Sequence, residues 1–287
     1  MTDETNIAQE DTLSKLKRTL KKVAIKEADG SVEEFYRVEG DMLLDEDQLG
    51  IYALQRDAAE REKALKKERA ALGAGDIGPQ IGRSSLVAVT TSQGKFVRWK
   101  QGMTLSYCVL KNTFSTEADY NMVVANMKQA TWGWESVCGI KFEYKPELDN
   151  STTTKPPGVL FPVREIDAGG QFIAAAFFPT DPKDRRRLLI DPSYYDPDLG
   201  FDKVGVLRHE LGHVLGWRHE QIRSEAPAIC PDEDTANTVD LTQYDPQSVM
   251  HYFCGGVGSR DLAITDVDKI GSQKVYGLPF DSFNYVE

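Results

Sequence analysis

The stretch HELGHVLGWRHE, residues 209–220, holds three of the four histidines in a chain of 287 residues. Apolar residues precede it and alternate through it, so the segment from about 204 to 215 is predicted to be a buried helix. His209 and His213 are four positions apart and therefore lie on one face of that helix, about 6 Å apart along its axis. Two imidazoles in this arrangement can bind one zinc ion.

Gly216 explains how a third histidine reaches the same ion. A continuous helix would carry a residue six positions after His213 away from the metal, whereas a glycine can adopt a positive φ and end the helix. The chain can then bend and return His219 as the third ligand. Three protein ligands leave one position open, which is typical of catalytic zinc. Glu210, beside the first ligand, is predicted to take a proton from water at the metal as the general base.

The segment SVMHY, residues 248–252, supplies a second pattern. HExxHxxGxxH followed by a methionine turn resembles the metzincin clan of metallopeptidases. HEQIR at 219–223 and the tyrosine that ends the turn resemble the astacins within that clan, and the similarity extends over about residues 95–278. The resemblance implies that Met250 forms an apolar base beneath the ligands. It also implies that Tyr252 is a displaceable zinc ligand that later stabilises the oxyanion; a core tyrosine beside a turn is the alternative.

The resemblance to astacins is incomplete. Leu278 stands where astacins usually have a cysteine, and Ser224-Glu225-Ala226 replaces their Pro-Asp-Arg. IAAAFFP at 173–179 looks more like the substrate-side edge strand of matrixins. An exposed strand edge can pair with an extended peptide, so the small residues Ala174, Ala175 and Ala176 are predicted to bind the substrate backbone. An interior strand packed tightly against a helix is the alternative.

Residues 1–80 are predicted to form a pro-like, inhibitory region, joined by a glycine-rich linker at about 73–85 to a catalytic domain at 86–287. The region contains no cysteine or histidine, so a group that blocks zinc from there has to be a carboxylate. Val38-Glu39-Gly40-Asp41 resembles the F-x-G-D pattern of astacin propeptides, which implies that Asp41 is a zinc ligand in the latent protein. An ordinary Gly-Asp turn is the alternative. The same resemblance implies cleavage around residues 70–95 and pairing of Glu220 with the new amine.

Hydrophobic periodicity predicts the fold class. Helices are predicted at 12–24, 55–72 and 117–135, and strands within 32–44 and at 97–99, 105–109, 140–144, 159–163, 172–178 and 188–190. This order predicts an α+β, metzincin-like catalytic domain with a mixed twisted sheet, an active-site helix and a methionine turn, preceded by a small N-terminal pro-like segment.

Composition narrows the classes of function. The net charge is −11, from 34 basic and 45 acidic residues spread along the chain, so no nucleic-acid partner is expected. No apolar run approaches the ~20 residues needed to span a bilayer, and the first residues lack the apolar core of a signal peptide. The family resemblance suggests secretion, although the sequence itself does not indicate the compartment. Cys230 and Cys254 are the first pair to test for a disulfide, with free thiols as the alternative.

The sequence as a whole predicts a zinc-dependent endopeptidase with one catalytic zinc ion, protein or peptide substrates and an N-terminal region that covers the cleft. A non-catalytic, zinc-stabilised protein-binding module is the alternative. It is disfavoured because neither a ligand nor the predicted base has been lost. A partner-binding role for residues 1–80 is a further alternative to inhibition.

Overall fold

The computed structural model describes residues 11–26, 30–71, 86–91, 93–230 and 238–283. Its described residues form an N-terminal region, residues 11–71, and a C-terminal part, residues 86–283. The linker predicted at 73–85 lies outside the described residues.

A small antiparallel sheet forms the centre of the N-terminal region. The elements in chain order are α1 (Thr12–Thr19), β1 (Lys21–Lys26), β2 (Val32–Val38), β3 (Met42–Leu44) and α2 (Glu46–Ala71). Strand β2 lies in the middle and pairs with β1 and β3. The helix predicted over 12–24 is wrong beyond Thr19. Val23 and Ile25 are buried while their neighbours along the strand are exposed, and this period of two is that of a half-buried strand.

Helix α2 begins nine residues before the helix predicted at 55–72. The backbone N–H of Gln48 donates to Asp45 Oδ1 at 2.8 Å, and the backbone N–H of Asp45 donates to Gln48 Oε1 at 3.0 Å. This reciprocal pair is a capping box, which satisfies backbone donors that a helix start otherwise leaves without partners. The capping box therefore fixes the residue at which α2 begins.

A five-stranded sheet is the frame of the C-terminal part. Its first elements are β4 (Val87–Val89), β5 (Thr104–Val109), α3 (Glu117–Glu135), β6 (Lys141–Tyr144), β7 (Phe161–Glu165), β8 (Ala174–Ala175) and β9 (Leu188–Ile190). The strand order is β6-β5-β7-β9-β8, with β8 antiparallel at one edge and the other pairs parallel. This mixed sheet confirms the predicted α+β class.

Two predicted strands differ from the observed ones. The strand predicted at 172–178 is confined to β8, because the chain turns where the Phe178 N–H donates to the Asp181 carboxylate at 2.9 Å. Residues 97–99 form no strand. Trp99 is instead held by its indole N–H, which donates to the carbonyl oxygen of Val214 at 2.7 Å. Side-chain contacts thus hold the chain in both places, and the backbone N–H of Val97 adds a single hydrogen bond to the carbonyl oxygen of Val89 at 2.9 Å.

The remaining elements complete the core around the sheet. They are α4 (Lys203–Leu215), β10 (Trp217–Arg218), β11 (Thr238–Asp240) and α5 (Asp266–Tyr276). Helix α4 packs against α3, and apolar side chains of both helices join those of the sheet in one buried cluster. Strand β4 pairs with β10 on one side and with β11 on the other. In the described part of the chain, no helix combines the length and apolar character needed to cross a bilayer.

Two apolar clusters join the N-terminal region to the C-terminal part. In the first, Val23, Ile25 and Phe35 pack with side chains that include Phe172 and Ala175. In the second, residues of β2, β3 and α2 pack around Phe178. The N-terminal region therefore lies over the edge of the large sheet where β8 is found.

Gly212 of α4 is expected to be intolerant of a larger side chain. A Cβ there would clash with Sδ of the buried Met250. Gly212→Ala is therefore expected to lower the free energy of unfolding by about 1–3 kcal/mol through overpacking. Gly50 of α2 is a matched control because its Cβ would meet open space, and Gly50→Ala is expected to stabilise by up to about 1 kcal/mol. Denaturant unfolding measures both, and equal stabilities would contradict the close packing at Gly212.

Candidate active site

The end of α4 brings three histidines together with one carboxylate. The helix ends at Gly216, whose φ of 96° is left-handed, and the chain returns through β10 to His219. Nε2 of His213 lies 3.2 Å from Nε2 of His219. Oδ2 of Asp41, from the N-terminal region, lies 3.3 Å from Nε2 of His219 and 3.4 Å from Nε2 of His209. All four side chains are buried, and one donor atom of each lies within 4.8 Å of the others.

Hydrogen bonds fix the ring orientation of two of these histidines. Nδ1 of His209 lies 2.7 Å from the carbonyl oxygen of Val249, and Nδ1 of His213 lies 2.7 Å from that of Trp217. Because a carbonyl oxygen only accepts, each Nδ1 carries the proton and each Nε2 presents a lone pair to the cluster. Burial lowers the pKa of His213 to about 4, so this ring is neutral at pH 7. Both rings are therefore oriented as metal ligands.

The cluster fits a zinc ion. Donor atoms on a tetrahedral zinc at ~2.0–2.1 Å are about 3.3 Å apart, and four of the separations in the cluster are 3.2–3.7 Å. His209 Nε2, Asp41 Oδ1 and Glu210 Oε2 are buried without a hydrogen-bond partner among the described residues. Because each buried polar atom left in this way costs about 1–3 kcal/mol, their concentration at one point is explained by a bound cation. Imidazole and carboxylate are ligands that zinc accepts.

Asp41 and Glu210 are two buried carboxyl groups with opposite pKa shifts. Burial raises the pKa of Asp41, but the charge of His219, followed by the close approach of the three histidine rings, outweighs it, and the pKa lies well below its usual range. Burial, followed by the nearby charge of Asp41, raises the pKa of Glu210 well above its usual range. Asp41 is thus held as an anion against the histidines, whereas Glu210 has the raised proton affinity expected of a general base.

Glu210 also lines a cavity of about 340 Å³ next to the cluster. The other lining side chains are mostly apolar and include Phe172, Phe201, Val206 and Leu262. A cavity of this kind accepts an apolar side chain beside Glu210.

The segment around Met250 is anchored beneath the helix. The Met250 side chain is buried against Gly212, and its carbonyl oxygen accepts from the backbone N–H of Glu220 at 2.9 Å. Asp268 of α5, which the sequence reasoning missed, accepts from Ser248 Oγ at 2.6 Å and from the backbone N–H of residue 249 at 2.9 Å. The sequence feature that indicates Asp268 is the capping box that it forms at the start of α5.

Tyr252 contacts both the histidines and the N-terminal region. Its ring centroid lies 4.3 Å from that of His219. Its hydroxyl oxygen lies 2.7 Å from Asp41 Oδ2 and also 2.7 Å from the carbonyl oxygen of Glu39. Gly40 adopts a φ of 88°, and a Cβ there would clash with the Tyr252 hydroxyl. The predicted Gly-Asp turn is therefore placed directly on the histidine cluster.

Glu39 and Arg218 form a buried ion pair that the sequence reasoning missed. The Arg218 guanidinium donates to Glu39 Oε1, and the two side chains are 9% and 2% exposed. Glu39 has a φ of 51°, a conformation that costs a residue other than glycine about 1–3 kcal/mol. The sequence signal was an arginine in the midst of the buried segment 209–220. Its partner, Glu39, lies 179 positions away. No feature of the sequence near Glu39, other than the VEGD motif, indicates the pairing.

Glu220 is fully buried and accepts three hydrogen bonds. The donors are the backbone N–H of Leu86 at 3.1 Å, the backbone N–H of Asp245 at 3.1 Å and Nη1 of Arg223 at 3.3 Å. Burial raises its pKa well above the usual range, although Arg223 opposes this. Leu86, the first described residue after the predicted linker, therefore already lies at Glu220.

The predicted substrate strand lies at the edge of the sheet. Ala174 and Ala175 form β8, and Ala176 follows it. Among the described residues, β9 is the only strand that pairs with β8. Ala174 and Ala175 are each 2% exposed. Ala175 packs with side chains of the N-terminal region, whereas Ala174 belongs to the apolar core of the C-terminal part. Their role in binding a substrate backbone stays a prediction.

The cysteines divide into one disulfide and two free thiols. Cys230 and Cys254, the first pair proposed for testing, are joined, whereas Cys108 and Cys138 are free and buried. The disulfide ties the segment after Arg223 to the segment after Tyr252.

The α+β fold, the three histidines at the end of α4 and the methionine turn below them define the class of metzincin metallopeptidases. Residues 98–254 match the matrixin model of peptidase family M10. Because this match covers more than half of the chain, the chain belongs to the matrixin family. It is a zinc metalloprotease with a catalytic zinc ion and protein substrates.

Two solved structures with low sequence identity are similar to the chain. The structure of myroilysin has 18% identity and a TM-score of 0.45, with 66% of this chain and 98% of that chain covered. High choriolytic enzyme 1, a hatching enzyme zinc-protease from the medaka fish Oryzias latipes, has 17% identity and a TM-score of 0.42, with 63% and 95% covered. No curated protein sequence matches the chain.

Proposed function

We propose that the protein is a latent, astacin-like zinc endopeptidase whose N-terminal region, residues 11–71, blocks the cleft. The observation that carries this proposal is the Asp41 carboxylate, which lies among the Nε2 atoms of the three histidines. HEQIR at 219–223 and SVMHY at 248–252 favour the astacin-like type.

His209, His213 and His219 would hold the zinc ion, with Asp41 in addition in the latent form. When bound, zinc supplies Lewis-acid polarisation of the peptide carbonyl and lowers the pKa of water. Glu210 accepts the proton of the attacking water and delivers it to the leaving amine, which its raised pKa favours.

Tyr252 would change partners on activation. In the latent form its hydroxyl lies 2.7 Å from Asp41. Removal of the N-terminal region frees this hydroxyl to donate to the oxyanion of the tetrahedral intermediate. The resemblance adds that Tyr252 would first be a displaceable zinc ligand and would then swing to the oxyanion; a core tyrosine beside a turn is the alternative.

The substrate would bind as an extended strand along β8. The edge strand offers backbone groups to an antiparallel peptide once the N-terminal region has left. One substrate side chain would then enter the apolar cavity beside Glu210. Hydrolysis of internal peptide bonds follows from this arrangement, because an extended strand can continue past both ends of β8.

The test compares intact protein with protein from which limited proteolysis has removed the N-terminal region. We expect one zinc ion per chain in both, and cleavage of unfolded casein and gelatin only, or much faster, in the processed form. A zinc chelator should abolish the cleavage. One zinc ion without cleavage in the processed form would instead favour a zinc-stabilised binding module.

Cleavage during activation is expected to leave Leu86 as the first residue. A cut before Leu86 turns its backbone N–H, 3.1 Å from Glu220 Oε2, into an ammonium group beside a buried carboxyl, and opposite charges at this distance attract strongly where water is excluded. N-terminal sequencing of the active form measures this. A stable active form beginning well after residue 89, without β4, would contradict it.

The disulfide supports a location for the active protein. Disulfides persist in oxidising compartments and are rare in the cytosol. The Cys230–Cys254 bond therefore agrees with the secretion that the astacin resemblance suggests, and we include an oxidising, extracytosolic site of action in the proposal.

A further inference from the structure

Arg218 holds a carboxylate of the N-terminal region next to the metal cluster. It directly precedes His219, and its guanidinium donates to Glu39 Oε1. The hydroxyl of Tyr52 donates to the same oxygen at 3.0 Å. Two donors converge on one carboxylate oxygen, so the place is built to receive an anion. Of these donors, Tyr52 leaves with the N-terminal region and Arg218 remains.

The Glu39 backbone adopts an unfavourable conformation at this contact. Its φ of 51° and that of Gly40, 88°, are both left-handed. Glycine is the residue suited to such a conformation, yet position 39 carries glutamate. A strained residue persists only when its surroundings hold it, and here the surroundings are the buried arginine. The N-terminal region therefore blocks the cleft with two carboxylates, Asp41 at the histidines and Glu39 at Arg218.

A cavity surrounds this arginine. Arg218 lines a space of about 580 Å³ together with Phe178 and Thr180 of the C-terminal part and residues of β3 and α2. The Phe178 ring centroid is 5.2 Å from that of His213. Once the N-terminal region is removed, the wall formed by β3 and α2 is lost, and Arg218 faces the open cleft beside the metal ligands.

The chain direction of the edge strand β8 indicates which substrate residues reach Arg218. Ala174 lines the cavity beside Glu210, whereas Phe178 and Thr180, further along the chain, line the cavity with Arg218. A peptide that pairs antiparallel with β8 runs in the opposite direction. Its residues on the N-terminal side of the scissile bond therefore lie towards Phe178, Thr180 and Arg218.

Other charged residues of the C-terminal part also line this cavity. Arg185 pairs at 3.1 Å with Asp45 of the N-terminal region, which leaves on activation, and lies 4.0 Å from Asp184, which stays. Asp181 lines it as well, but its carboxylate accepts from the backbone N–H of Phe178 at 2.9 Å. Asp184 is the remaining acidic residue of the C-terminal part in the lining. Two arginines and two aspartates of the C-terminal part thus line the cavity, so the preference is assigned to Arg218 and not to the charge of the whole lining.

From these contacts we propose that Arg218 forms an acid-binding subsite in the mature enzyme, and that the enzyme prefers substrates with Glu or Asp on the N-terminal side of the scissile bond. This inference rests on the proposed function. The preference is local, because the C-terminal part is not basic overall: residues 81–287 contain 21 basic and 27 acidic residues.

The experiment uses full-length protein activated by limited proteolysis and a peptide library made from a digested proteome, with cleavage sites read by mass spectrometry. We expect enrichment of Glu and Asp at one position N-terminal to the scissile bond. Two synthetic peptides that differ only by Glu or Gln at that position should then differ about 10- to 100-fold in kcat/KM, the range of a hydrogen bond to a charged group.

Variants connect the preference to the arginine. Arg218→Gln should reduce the Glu/Gln ratio of kcat/KM to near one, and Arg218→Lys should restore part of it because the charge is kept. Lys141→Gln removes an exposed positive charge on β6, at the opposite edge of the sheet, and should leave the ratio unchanged. If Arg218→Gln does not fold, the wild-type ratio should still fall as salt concentration rises.

The possible results separate the two proposals. Cleavage of many peptides without acidic enrichment would overturn the subsite and leave the peptidase intact. Acidic enrichment that persists in Arg218→Gln would also overturn the assignment to this residue. Absence of any cleavage by the activated, zinc-loaded protein would overturn the proposed function, and the subsite with it.

Discussion

Replacing Glu210 by glutamine is expected to lower kcat of the processed protein about 10³-fold without changing its zinc content. Glutamine has nearly the same shape but cannot accept the proton of the attacking water, and general base catalysis contributes about 10²–10⁴-fold. The buried position of Glu210, which lines the cavity beside His209, supports this role. Hydrolysis of a fluorogenic peptide gives kcat, and elemental analysis gives the zinc content.

A control separates this effect from a general loss of charge. Glu143 lies exposed on β6, at the edge of the sheet far from β8, so Glu143→Gln should retain full activity. Normal turnover by Glu210→Gln would remove the proposed mechanism. Loss of zinc from the variant would indicate that Glu210 helps hold the metal site.

Replacing Asp41 by alanine is expected to raise the activity of the uncleaved protein about 10- to 100-fold. The carboxylate lies 3.3–3.7 Å from the three histidine Nε2 atoms, and loss of a hydrogen bond to a charged group is worth about this factor. The increase should stay below full activation, because Glu39 and the apolar clusters still hold the N-terminal region. Peptide hydrolysis by intact protein, with a gel to exclude processing, measures it.

Asp47 is the matched control for Asp41. It lies in the exposed first turn of α2, so Asp47→Ala should leave the protein latent. Equal activity of intact wild type, Asp41→Ala and protein lacking the N-terminal region would show that this region does not inhibit. A partner-binding role for residues 1–80 would then be favoured.

Much of the site could be predicted because its information is local. The spacing of three histidines around Gly216 specifies a helix and a turn, and both depend on residues within one short segment. Alternation likewise marks the strands β5 and β6, and a short apolar run marks β9. The sequence predicts Val23 in a helix because three apolar residues at helical spacing, Leu13, Leu16 and Leu20, precede it. Its pairing in β1 is what shows that it belongs to a strand.

The rest depends on contacts between distant parts of the chain. Nothing near Arg218 indicates that Glu39, 179 positions away, is its partner. The shortness of β8 depends on the turn at Phe178 and on the N-terminal region packed over it. Asp268 is visible as a helix cap, but its support of the methionine turn appears only when α5 is placed against that turn.

Strand β4 sets a limit on how far the new N-terminus can be trimmed. Its residues pair with Trp217 and Arg218, and the backbone N–H of Val89 donates to the carbonyl oxygen of Gly216 at 2.9 Å. An aminopeptidase that removed Leu86 and then Val87 would shorten β4, which holds the segment before His219 in place. Removal of the residues before Leu86 would therefore activate the protein, whereas removal of a few more residues would inactivate it.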